Sequence, residues 1–209
     1  MPRADETRDD DIPDVLHLDE HAVRVLAHPL RSRLLTRLRV DGPLTATELA
    51  GLLGTNSGAT SYHLRALASV GLVADAHTGQ GRERKWRAAS RSHAWVASAF
   101  ADDEDARTAL GWLQRDYVRQ FAARADEWLD AADAWPAEWV DALGLSDALV
   151  EVTPAGARAL QADLAALIER YRTEGAGDPT ARRIHVHTFA RPVELAPAPA
   201  DGAPAEPES

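Results

Sequence analysis

The chain contains no cysteine. That excludes disulfides and every thiolate-bound metal site. No apolar run approaches the ~18 residues of a membrane-spanning helix, so a membrane is not an expected partner. The opening stretch MPRADETRDDDIPDVLHL is acidic and lacks the basic-then-apolar order of a secretory signal, so the cytoplasm is the expected location. Catalytic signatures are missing too. Gly79 and Gly81 suit a hairpin turn, with no strand–loop–helix context for phosphate binding. No nucleophile elbow appears, and no carboxylate pair stands out from the general acidity. Neither an enzyme nor a cofactor is expected.

Lysine is nearly absent. Lys85 is the single Lys among 23 basic residues, which with the abundant alanine is a bias of GC-rich bacterial coding rather than of function. The formal net charge of −10 argues naively against nucleic acid, but its distribution reverses that. Residues 1–20 hold eight acids and two bases, a balance of −6. Residues 21–91 hold eleven bases and four acids, +7, and residues 92–209 ten bases and twenty-one acids, −11. A basic segment between acidic flanks is the footprint of a nucleic-acid surface, against the plainer reading of Arg on solvated helix faces.

Composition divides the chain into four segments. Residues 1–16 are charged and poor in large apolar groups, and are expected to be a disordered acidic arm. Residues 196–209, rich in Pro, Ala and acids, are expected to be a disordered tail. Between them, 17–90 and 91–195 read as two domains. The first opens with a short helix, LDEHAVRVLAH. Pro29 suits the first position of a second helix, in which Leu30, Leu34, Leu35 and Leu38 recur with the helical period. Asp41-Gly42-Pro43 stops it. Thr45 with Glu48 forms a capping box for TATELAGLLG, Gly54 suits a left-handed turn, and Asn56 suits the N-cap of a fourth helix.

That fourth helix, SGATSYHLRALAS, sets Thr60, Leu64 and Leu67 on its core side. Gly58, Ser61, Tyr62, Arg65 and Ser69 fall roughly opposite. After Gly71, LVAD and RKWRAA read as two strands joined by a turn bearing Gly79, Gly81, Arg82 and Arg84. Three helices, a polar-faced fourth and a basic hairpin make a winged helix-turn-helix. A helix end free of bulky acids can enter the major groove, where short polar side chains reach base edges. Basic residues on a hairpin reach phosphates or the adjacent minor groove.

The stretch from Leu26 to Ala89 resembles the ArsR-like winged-helix family of bacterial transcriptional regulators, in a subgroup with an extended C-terminal domain. It carries the family's H-P-x-R helix start, x-E-L-A helix, S-x-H-L-x-x-L recognition helix, G-L-V and basic wing, over about a third of the chain. The resemblance implies DNA contacts by Ser57, Gly58, Ser61, Tyr62 and Arg65 on the recognition helix, and by Arg82, Arg84 and Lys85 on the wing. It also implies a homodimeric repressor. The metal sensors of the family carry a Cys-containing motif before the recognition helix. Here that piece is ATELAGLLG, with no Cys, His or Asp, so sensing there is not expected.

The second domain reads as α+β. A long amphipathic helix carries Leu110, Leu113, Tyr117, Phe121 and Trp128, and ends before Trp135-Pro136. DALVEV reads as a strand. Thr153 and Pro154 open a helix striped by Leu160, Leu164, Leu167, Ile168 and Tyr171. RRIHVHTFARPVE reads as a further strand. Five of the six Trp lie here, as core or dimer contacts first and as the wall of a small-molecule effector pocket second. His185 and His187 share one strand face and are weak metal candidates without an identifiable third ligand. His28 and His63 read as structural. The expectation is therefore a mainly α chain with a small β-hairpin wing. It would bind a palindromic operator in double-stranded DNA as a homodimer, with effector sensing by the C-terminal domain. The alternative is a winged-helix protein-interaction module.

Overall fold

The computed structural model describes Pro13, residues 15–76 and residues 84–195. Residues 1–12 and 14 of the expected arm, the expected wing turn at 77–83 and the expected tail at 196–209 lie outside these. The chain divides into two compact units that meet between Ala132 and Asp133.

The first unit begins with a strand, β1 (Val15–His17), where the arm was expected to continue to residue 16. Helices α1 (Glu20–Leu26) and α2 (Pro29–Asp41) come next. The side chain of Asp19 caps α1, and His28 caps α2 ahead of Pro29, its Nδ1 accepting from the Leu30 amide at 3.2 Å. A two-residue strand, β2 (Leu44–Thr45), leads into α3 (Ala46–Leu53). The capping box is formed: the Glu48 amide donates to Thr45 Oγ1 at 3.2 Å, and the Thr45 amide to Glu48 Oε2 at 2.7 Å. Hydrogen bonding to the Thr45 amide holds the Glu48 carboxyl below its usual pKa. Gly54 sits in the left-handed region (φ 62°), which turns the chain towards α4 (Ser57–Ser69).

Strands β3 (Val73–Asp75) and β4 (Lys85–Ala88) pair antiparallel as the wing, and β2 joins on the far side of β4. Strand β5 (Ser92–Ala94) pairs in parallel with β1, Val15 opposite Ser92. The 28-residue α5 (Glu104–Ala131), capped by Asp103, closes the unit. The core gathers Leu26, Leu34, Leu35, Leu49, Leu64 and Leu67 from α1–α4 with Leu110 and Leu113 of α5. So β5 and α5 pack with the first unit, which runs to Ala132, where the sequence placed a division near residue 90. The physical reason is the early turns of α5: Ala106, Leu110 and Leu113 are buried, and the rest of the helix buries nothing fully.

The second unit holds α6 (Ala137–Ala142) and α7 (Pro154–Arg170), the latter capped by Thr153 with Pro154 at its first position. The two strands expected at 147–152 and 182–194 are not formed. Both stretches are without strand pairing, and no strand comes after Ala94 among the described residues. A strand exists by its ladder, and alternating apolar residues supply a face without supplying a neighbour. The chain as a whole is mainly helical with a few short strands, as expected.

Candidate nucleic-acid interface

Helix α4 is held from beneath. Thr60, Leu64 and Leu67 are buried, and Thr60 Oγ1 donates to the Asn56 carbonyl at 3.0 Å. The Asn56 side chain accepts from the Ala59 amide at 2.8 Å and satisfies one of the free amides of the first turn. That turn contains no acid. The end of the helix therefore presents amides and the positive end of its dipole without a competing carboxylate.

The outer face matches the sequence reading. Ser57, Gly58 and Arg65 are exposed and Ser61 is half-buried. Tyr62 is 58% exposed, a large ring left in solvent at the centre of the face. A Cβ at Gly58 would lie in van der Waals contact with the capping oxygen of Asn56, at 3.4 Å. His63 points away from the outer face. Its Nδ1 accepts from Arg31 Nε at 3.2 Å, and its ring lies 4.5 Å from that of His28. Burial, with His28 and Arg31 nearby, lowers its pKa. Both histidines thus do the structural work expected of them.

On the wing, Arg82 lies outside the described residues. Arg84 is described, and it is already engaged: Nε pairs with Asp75 Oδ2 at 2.8 Å across the hairpin, and the guanidinium lies 4.0 Å over the Trp86 ring. Trp86 is buried, so Arg84 joins the wing to the body as well as offering charge. Lys85, half-buried, is the neighbouring cation.

Sequence reasoning missed a polar network behind this face. Arg39 of α2 donates from Nε to the Ser90 carbonyl at 3.1 Å and from Nη2 to Ser90 Oγ at 3.2 Å. Its Nη1 lies 2.7 Å from His93 Nδ1, and His93 Nε2 lies 2.8 Å from the Tyr117 hydroxyl. Arginine only donates, so Nδ1 accepts, the imidazole is neutral, and Nε2–H donates to Tyr117. Burial, reinforced by the charge of Arg39, pushes His93 down to about 3, while burial draws Arg39 down to about 10 and raises Tyr117. A second bridge joins Ser32 of α2 to Asp116 of α5 at 2.7 Å, and Gln120 donates to the same carboxylate at 2.7 Å. Arg24 of α1 pairs with the α5 cap, Asp103. These links run between α1 or α2 and α5, so the helix beyond the wing is fastened to the helices that support α4. The only signal in the sequence was an Arg in a helix stripe and a lone His, and neither announces its partner.

In the second unit, the rings of His185 and His187 lie 4.1 Å apart. Among the described residues no group of three or more His, Asp or Glu could hold a metal ion. Trp135 and Trp139 meet edge to face at 6.2 Å, beside an open depression of about 290 Å³ bounded by Glu138, Trp139, Ala142 and Thr180. Among the described residues no helix is long and apolar enough to cross a membrane.

Residues 26–75, from the end of α1 to the first wing strand, match the family described as a helix-turn-helix domain. Over 58 residues the chain is 41% identical to the HTH-type transcriptional regulator NmtR of Mycobacterium tuberculosis. The similarity covers 28% of this chain and 48% of that relative, so the chain spans about half the length of the curated protein it matches.

Proposed function

We propose, from the match of residues 26–75 to a helix-turn-helix domain family and their similarity to a transcriptional regulator, that the chain is an ArsR-like, sequence-specific DNA-binding transcriptional regulator. The observation that carries the reading is the outer face of α4. It is exposed, free of acid in its first turn, and built of Ser57, Gly58, Ser61, Tyr62 and Arg65 over a buried Thr60–Leu64–Leu67 side. Short hydroxyls and one guanidinium suit base edges in the major groove. Lys85, Arg84 and Arg82 on the wing suit phosphate, with Arg84 also tied to Asp75.

One such helix covers a half-site. Tight, specific binding therefore calls for a homodimer on a palindromic operator, with recognition helices about one DNA turn, ~34 Å, apart. Repression results from an operator that overlaps a promoter. Effector sensing belongs to the second unit, where the depression beside Trp139 offers an aromatic wall. A protein-docking winged helix would instead expose several large apolar side chains on this face, and Tyr62 is the one large ring that α4 exposes.

The test is duplex binding by the purified full chain over a salt series. Each phosphate neutralised contributes a log–log slope of about −0.9. The reading requires a steep slope on a fragment selected from genomic DNA. A salt-insensitive complex, or no binding to any fragment, overturns it in favour of a protein-interaction module.

A further inference from the structure

Tyr62 is the large side chain on the outer face of α4, and it stands mostly in solvent. An unsupported ring on a helix surface exchanges among rotamers, and ordering it against a base edge costs affinity. Tyr62 has a support. Its ring meets that of His63 edge to face, 5.2 Å between centroids at an interplanar angle of 73°.

His63 is itself gripped from outside α4. Its Nδ1 accepts from Arg31 Nε of α2 at 3.2 Å, and the His28 ring lies 4.5 Å away. The same guanidinium donates from Nη1 to the Val25 carbonyl at 2.9 Å. That carbonyl belongs to the last turn of α1, where a helix leaves its carbonyls without partners of their own. One half-buried head group on α2 therefore ties the end of α1 to the flank of α4. Arginine only donates, so Nδ1 of His63 carries no proton and the imidazole is the Nε2–H tautomer. A bond along the Nδ1 lone pair lies in the ring plane, so it fixes the orientation of the ring on which Tyr62 rests.

We propose that Arg31 is a positioning residue for base readout: by holding His63 it presents Tyr62 to the major groove in one orientation. The inference rests on the reading of α4 as the recognition helix. Arg31 acts here through the geometry of its fork and not through its charge. Lysine keeps the charge but has no planar fork to serve Val25 and His63 together. A phosphate contact would behave differently, because its loss weakens binding to all sequences alike and lowers the salt slope.

The experiment titrates the full chain with two duplexes, the best site selected by the unmodified chain and a scrambled sequence of the same length. Arg31→Lys should lower affinity for the selected site about tenfold, the scale of one lost base contact. Binding to the scrambled duplex should stay within about twofold, with the salt slope unchanged, because the charge is retained. His63→Phe keeps a ring without the acceptor and should behave in the same way. In a Tyr62→Ala background, Arg31→Lys should cost less than about twofold on the selected site, since the ring it positions is gone. If Arg31→Lys does not fold, His63→Phe carries the same comparison. An equal loss on both duplexes overturns the inference and makes Arg31 a phosphate contact. A tenfold loss that persists in full without the Tyr62 ring also overturns it and leaves a general support of the fold. A site preference that survives Arg31→Lys removes this inference alone, whereas an unmodified chain with no preferred site removes the recognition-helix reading beneath it.

Discussion

The two units differ in what their apolar residues face. In the first, Leu34, Leu35, Leu49, Leu64 and Leu67 are at most 1% exposed, and polar links fasten α5 to the helices beneath the wing. In the second, Leu160 and Leu164 are half-buried, while Leu167, Ile168 and Tyr171 at the end of the same stripe are exposed. The periodic patterns look alike in sequence, and only one of them is answered by a core. An amphipathic period states that a helix needs a neighbour. It does not state whether that neighbour lies in the same chain.

This contrast can be broken most sharply by truncation of side chains. Leu64→Ala should lower the unfolding free energy of the first unit by about 2–5 kcal/mol, through lost burial and the cavity left behind. Leu167→Ala should change it by no more than about 0.5 kcal/mol. Urea denaturation monitored by circular dichroism, at a concentration where the protein is monomeric, checks both. Equal effects would mean that α7 has a core of its own.

The buried network sharpens the contrast through pH. His93 is held neutral in the folded chain, down to about 3, whereas in the unfolded chain it takes up a proton near 6.5. A depressed folded-state pKa contributes stability that is fully present above ~6.5 and lost as pH falls towards 3. The loss attributable to this group should approach ~1.4 kcal/mol per pH unit, and His93→Gln should flatten that part of the profile. Chemical denaturation between pH 7 and pH 5 provides the comparison. An unchanged slope in the variant would remove His93 as the cause.

A smaller effect is expected at the capping box. Thr45→Ala removes the hydroxyl that receives the Glu48 amide and should cost about 1 kcal/mol, read as a shift in the urea midpoint without a change in slope. The corresponding cap of α7, Thr153, whose Oγ1 receives the Gly156 amide at 3.1 Å, should give a smaller shift, because α7 buries no residue fully.

Features that act over three or four residues were legible in the sequence. Thr45 with Glu48, Asn56 ahead of α4, Gly54 in its turn, Pro154 after Thr153, and the Thr60–Leu64–Leu67 side all formed where the spacing placed them. The outer face of α4 was legible for the same reason, since whatever is not on the buried side of a regular helix is on the other. The hidden features depend on distant partners. Arg39 meets His93 across 54 residues, and His93 meets Tyr117 across 24. Val15 pairs with Ser92 through a three-residue strand too short to show a period. The stretches at 147–152 and 182–194 were misread in the opposite sense, because their alternation was real but no ladder among the described residues completes it.

The central claim is that the outer face of α4 reads DNA sequence. It is tested most directly by selecting binding sites from a randomised duplex library with the full chain and with Arg65→Ala. The unmodified chain should enrich an inverted repeat with half-site centres ~34 Å apart. Arg65→Ala should lose the preference at one base position in each half-site, at about 1–3 kcal/mol on the best sequence, while keeping the rest of the motif. Identical enriched sequences from both proteins, or no enrichment from the unmodified chain, would contradict the account.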